Sequence, residues 1–87
     1  MSISNTLAER AERYGDFRDH SLCSQDLQIA MRSHKNWNVL KSYHKESLMM
    51  IQHKVARILN GDPDYDDNWH DIAGYATLVE NIINEMD

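Results

Sequence analysis

The apolar residues of this chain recur every three or four positions, which is the period of an α-helix. The clearest apolar stripe predicts a long helix over about 42–60. Its members are His44, Leu48, Ile51, Val55, Ile58 and Leu59. A second long helix is predicted over about 66–86, and it also has an apolar face. That face is formed by Ile72, Tyr75, Ala76, Val79, Ile82, Ile83 and Met86. Asn60, Gly61 and Pro63 break the chain between the two segments, so we predict an antiparallel helical hairpin.

Two shorter helical patterns precede the hairpin. One covers about 4–14, and the other begins after Asp16 or Asp19 and runs to about Ser33. No segment alternates between apolar and polar residues as a half-buried strand would. We therefore predict an all-α fold, a single domain over 1–87, in which the two long antiparallel helices pack with two shorter N-terminal ones.

The size of the chain limits its core. A domain of 87 residues buries only about 60–65% of the surface that its unfolded chain exposes. Association with another chain would add buried surface, so we expect a homo-oligomer.

The polar N-terminus does not resemble a signal peptide, and no apolar run approaches the roughly 20 residues that span a bilayer. Cys23 is the only cysteine. These features predict a cytoplasmic protein without a membrane partner.

Charge is divided unevenly along the sequence. Residues 1–57 carry nine basic and six acidic side chains, whereas residues 58–87 carry eight acidic and no basic ones, which gives the net charge of −5. An acidic protein is a poor match for nucleic acid, whose binding needs a concentrated basic surface. Five acids crowd into residues 61–71, but the residues at loop positions 6 and 12 do not fit a calcium-binding EF-hand.

The acidic turn has two interpretations. In the first, Asp64, Asp66 and Asp67 cap the following helix, and the hairpin register pairs Arg57 with Asp67 and Lys54 with Asp71. Exposed pairs of this kind add roughly 0–1 kcal/mol each. In the second interpretation, Lys54 and Arg57 bind a phosphate. Asp67 and Asp71, which are four residues apart, then coordinate Mg²⁺.

A mixed face lies opposite the apolar stripe of the first long helix. Glu46, Met50, His53 and Arg57 fall within about 60° of one another on a helical wheel. With Lys54 on its flank, this face is the candidate contact surface for a protein partner or a ligand. The alternative is an ordinary solvated face that contains one exposed methionine.

Three segments resemble a family of small uncharacterised proteins from bacteriophages and prophages. They are ERYGDFRDH (12–20), NW (36–37) and HKVARILNGDPDYDDNWHDIAGYATLVE (53–80). The resemblance covers nearly the whole chain, but it implies no established activity. It does imply an origin in the cytoplasm of an infected or lysogenic bacterium.

The chain is also distantly similar to the all-α nucleotide pyrophosphohydrolases of the MazG type. In that family, carboxylates of an ExxE and an ExxD motif on successive helices hold Mg²⁺. The similarity implies Glu46, Asp67 and Asp71 as candidate metal ligands. Met49 and Asn68 occupy two positions where the motifs have carboxylates, so the four-carboxylate set is incomplete.

Three functional hypotheses follow. The first is a non-catalytic phage protein that needs no cofactor and modulates a host or phage protein by binding it. The second is a MazG-like, Mg²⁺-dependent nucleoside triphosphate pyrophosphohydrolase, or a relic of one that still binds nucleotide. The third is a structural oligomeric module. The incomplete carboxylate motif places the binding protein first.

Overall fold

A computed structural model describes residues 2–86, so residues 1 and 87 of the predicted domain lie outside it. Its elements are α1 (Ile3–Tyr14), α2 (Phe17–Arg32), a 3₁₀-helix (Lys35–Val39), α3 (Ser42–Asn60) and α4 (Asp66–Glu85). The described residues contain no strand. The predicted all-α bundle is therefore confirmed. The 3₁₀-helix occupies a segment for which the sequence predicted no helix.

The two long helices form the predicted antiparallel hairpin. Near the open end, the Tyr43 hydroxyl donates to Met86 Sδ at 3.7 Å. Closer to the turn, Lys54 Nζ lies 3.0 Å from Asp71 Oδ2. Contacts between α3 and α4 are the most extensive in the molecule.

Helix α2 packs on the other side of α3 and makes the second most extensive contact. The Ser24 hydroxyl donates to Gln52 Oε1 at 3.2 Å, and both residues are buried. The rings of His20 and His53 meet edge to face, with centroids 4.7 Å apart. Helix α3 is thus the central element, with a neighbour on each of two opposite sides.

The helix caps agree only in part with the sequence. Asp16 caps α2 as predicted, since its Oδ1 accepts hydrogen bonds from the N–H groups of Arg18 and Asp19 at 2.8 and 3.4 Å. The side-chain cap predicted for α4 is absent, because Tyr65 occupies its N-cap position and makes no such hydrogen bond. Asp66 and Asp67 do lie in the first turn of α4 as predicted, where the helix dipole favours carboxylates. The Asp62 carboxylate instead accepts from the Asp64 N–H at 2.9 Å, which tightens the turn.

Two glycines allow the end of α1 to cross the end of α3. Gly15 has a φ of 88°, and a Cβ there would overlap the Asn60 carbonyl. A Cβ on Gly61 would overlap the backbone of Arg13 and Tyr14. The Asp62 N–H donates to the Arg13 carbonyl at 3.0 Å across this crossing. Backbone contact therefore fixes the position of α1 where it meets α3.

The interior is small and mostly polar. Within residues 2–86, Ala56 is the only buried apolar residue. The buried polar residues are His20, Ser24, Ser47, Gln52, Lys54 and Asn68. The prediction that Leu48 and Leu59 belong to the core was wrong, since they are 40% and 65% exposed. With α2 and α4 on opposite sides of α3, part of the apolar stripe lies in the open gap between them.

The helices within residues 2–86 are too short or too polar to span a membrane. None of them combines the length and the apolar character that crossing a bilayer requires.

Candidate functional site

A cleft of about 350 Å³ opens where α1 meets the start of α2 and the last turns of α3. Its polar and aromatic lining comes from Arg10, Tyr14, Phe17, His20, His53 and Arg57. Leu7 and Ala11 add an apolar wall from α1. The close backbone contact between Gly15 and Asn60 holds the end of α1 and the start of α2 against the end of α3. The cleft therefore depends on this contact.

Two guanidinium groups share one aromatic ring at the cleft. The Cζ atom of Arg57 lies 4.0 Å from the centroid of the Tyr14 ring, and that of Arg10 lies 4.9 Å from it. Such cation–π contacts hold planar cations in a fixed orientation. Among residues 2–86, none of those lining the cleft is acidic. The cleft is therefore locally cationic in a chain of net charge −5.

Two histidines line the cleft beside the arginines. His20 is only 6% exposed, and its Nδ1 atom is buried without a hydrogen-bond partner. Burial and the nearby Arg57 charge both lower the pKa of His20. Burial also lowers the pKa of His53 to about 4, with a further contribution from Arg57. Both rings are consequently neutral at neutral pH, and each presents one donor and one acceptor nitrogen.

The opposite flank of α3 carries the ion pair between Lys54 and Asp71, which confirms the predicted pairing. Burial is unequal, with the Lys54 side chain 11% and the Asp71 side chain 43% exposed. The prediction that Arg57 pairs with Asp67 was wrong. Arg57 stacks on Tyr14, and Asp67 accepts a hydrogen bond from the Tyr65 hydroxyl at 3.0 Å.

The candidate metal ligands do not come together. No group of three His, Cys, Asp or Glu residues that could hold a metal ion occurs among residues 2–86. Glu46, Asp67 and Asp71 are therefore not gathered into such a group. Of the two cations predicted to bind phosphate, Lys54 pairs with Asp71, whereas Arg57 lines the cleft.

The structure divides the candidate contact surface of α3. His53 and Arg57 line the cleft, and Met50 is half-buried. Glu46 is exposed, while Lys54 is buried against α4. Sequence analysis missed the contributions of Arg10, Tyr14 and His20, because the helical period gives no direction for α1 relative to α3. The motif YGDF at 14–17 was the available signal.

A second surface consists of apolar residues at spacings of seven and four residues. We define the apolar face as Leu48, Val55 and Leu59 of α3 with Trp69, Ala76 and Ile83 of α4. By helical phase these residues lie on the side of the hairpin opposite the Lys54–Asp71 pair. Leu59 is 65% and Trp69 55% exposed. A repeat of seven on neighbouring helices is the spacing of helix–helix packing in coiled coils.

The fold and these two surfaces define a small all-α protein with a cationic cleft and an uncovered apolar face. Comparison with protein families places the chain more specifically. It belongs to the family described as a domain of unknown function, DUF6378, whose model matches residues 3–83. Comparisons with curated proteins and with solved structures gave no match.

Proposed function

We propose that this protein is a small interaction module of phage or prophage origin that acts by binding rather than by catalysis. Its working form is a homo-oligomer built on the apolar face, and in the bacterial cytoplasm it modulates a host or phage protein. The observation that carries the proposal is a contrast within residues 2–86, where one apolar residue is buried and large apolar side chains are left exposed.

The energetics of the single chain support association. Leu48, Leu59, Trp69 and Ile83 each expose 40% or more of their surface. Burial of apolar surface contributes about 25 cal/mol per Å². A second copy that presents the same face removes both sets of side chains from water. A twofold arrangement of this kind is the commonest form of homo-oligomer.

Charge favours one orientation of the two copies. By helical phase, the charged residues beside the apolar face are Lys45 of α3 and Asp66 and Glu80 of α4. Packing α4 of one copy on α4 of the other brings like charges together, which is unfavourable. Packing α3 of each copy across α4 of its partner places opposite charges side by side. We therefore expect the α3–α4′ arrangement.

Sedimentation equilibrium at tens of micromolar tests the oligomer. We expect a mass of at least twice the 10.2 kDa of the chain. Leu59→Glu introduces a charge into the apolar face and is expected to give the monomer mass. Leu22→Glu is the matched control, because Leu22 is similarly exposed, at 63%, but lies on the outer side of α2. A wild-type monomer at every salt concentration, or equal effects of both variants, refutes the proposal.

A further inference from the structure

We propose that the cleft between α1, α2 and α3 is a binding site for a small organic anion. The ligand class is an oxyanion, either a phosphate ester or a carboxylate, carried on a flat apolar group. This inference does not rest on the oligomer, because none of the residues that line the cleft belongs to the apolar face.

The charge of the lining selects an anion. Arg10 and Arg57 approach the same Tyr14 ring from distances of 4.9 and 4.0 Å, and no carboxylate of the described residues lines the cleft. Neither arginine occurs in an ion pair among the described residues. A guanidinium group presents a planar fork of donors that matches carboxylate and phosphate oxygens. Two such forks beside one cleft fit an oxyanion.

The histidines provide neutral hydrogen-bonding groups deeper in the cleft. Buried polar atoms nearly always have a partner, and each exception calls for an explanation. His20 Nδ1 is such an exception, and the His20 ring lines the cleft against His53. Because this atom is closed to solvent, a ligand in the cleft supplies its partner only if the His20 ring turns towards the cleft. The histidine rings offer hydrogen-bonding nitrogens that orient a ligand.

The remaining lining selects the body of the ligand. Leu7, Ala11 and the rings of Tyr14 and Phe17 supply apolar surface around the charged groups. Small-molecule sites combine such walls with a few fixed polar groups, and they occupy about 300–1,000 Å³. At about 350 Å³, this cleft suits a ligand with a single ring system.

Titration of the whole protein, followed by NMR of the histidine ring protons, tests the site. The probes are phenyl phosphate, benzoate, inorganic phosphate and the cation benzylamine. We expect saturable shifts of the His20 and His53 signals with phenyl phosphate or benzoate, weaker binding of inorganic phosphate, and none of benzylamine. Tighter binding of phenyl phosphate identifies a phosphate ester as the ligand class, and tighter binding of benzoate identifies a carboxylate.

Arginine variants link any binding to the cleft. Arg57→Gln is expected to weaken binding about tenfold or more, since it removes a charged hydrogen-bond partner. Arg10→Gln, at an exposed position on α1, is expected to act in the same direction even if Arg57→Gln disturbs packing. Arg32→Gln at the far end of α2 is the matched control for charge. The proposal fails if no probe binds at 10 mM, if benzylamine binds equally, or if Arg32→Gln weakens binding as much as Arg10→Gln.

Discussion

The Cα atom of Gly15 lies so close to the carbonyl of Asn60 that no side chain fits between the two backbones. Gly15 also has φ 88° and ψ 177°, a conformation that is almost exclusive to glycine. We expect Gly15→Ala to lower the free energy of unfolding by about 2 kcal/mol or more, from backbone strain and steric overlap together. Urea denaturation at fixed protein concentration measures the change.

Gly74→Ala provides the control for that experiment. Gly74 lies inside α4, and a Cβ there meets nothing within 4 Å. Alanine is favoured over glycine in a helix interior by about 0.5–1 kcal/mol, so this variant is expected to be slightly more stable than the wild type. If Gly15→Ala were as well tolerated as Gly74→Ala, the close crossing of α1 and α3 would be wrong.

The ion pair between Lys54 and Asp71 is expected to contribute more than an exposed pair. Asp71→Asn leaves the Lys54 ammonium buried without its counter-charge, at a cost of about 1–3 kcal/mol. Lys54→Met removes the buried charge. The double variant Lys54→Met/Asp71→Asn is therefore expected to regain part of the free energy of unfolding that Asp71→Asn loses. A double-mutant cycle by urea unfolding measures the coupling. Additive effects of the two substitutions would show that the pair contributes nothing.

Magnesium is expected to leave the melting temperature unchanged. Asp71 is already engaged by Lys54, and residues 2–86 contain no cluster of three potential metal ligands. A cation that binds only the folded state would raise the melting temperature by mass action. Thermal melts with and without millimolar Mg²⁺ measure this. A rise of several degrees that Asp71→Asn abolishes would instead favour a MazG-like metal site.

Stability is expected to fall as the pH is lowered from about 6.5 towards 4. The unfolded state takes up protons on histidine near pH 6.5, whereas burial keeps the folded pKa of His53 at about 4. In this window the unfolded state binds more protons, so the free energy of unfolding rises with pH. His20 shifts in the same direction. Urea unfolding at pH 7.5, 6 and 5 measures the slope.

The matched variants for the pH experiment are His53→Phe and His70→Phe. His53→Phe is expected to reduce the slope, because it removes a group that titrates differently in the two states. His70→Phe, at an exposed position on α4, is the matched substitution outside the cleft. An equal slope in the wild type and in His53→Phe would rule out His53 as its source.

The sequence predicted the helices because their signals are local. The turn after Asn60 and the cap at Asp16 each depend on a few neighbouring residues, and both lie where the pattern placed them. The Lys54–Asp71 pair was also predictable, since a short turn fixes the register of an antiparallel hairpin.

The sequence did not predict the cleft or the exposure of the apolar face, because both depend on how the helices pack. An apolar stripe such as Leu48 to Leu59 shows which side of a helix avoids water, but not which neighbour covers it. The position of α2 opposite α4 leaves that stripe in a gap. The approach of Tyr14 to Arg57 depends on the backbone crossing at Gly15, which no helical period encodes.

Helix α1 has no buried residue, and its Ile3 and Leu7 are mostly exposed. Regions with so few buried contacts open locally at a free energy well below that of global unfolding. Amide hydrogens of α1 should therefore exchange with solvent sooner than those of α3. Because α1 forms one wall of the cleft, each such opening also dismantles the site. A molecule bound in the cleft would consequently slow hydrogen exchange along α1. The exchange rate of α1 therefore reports the fraction of clefts that hold a ligand.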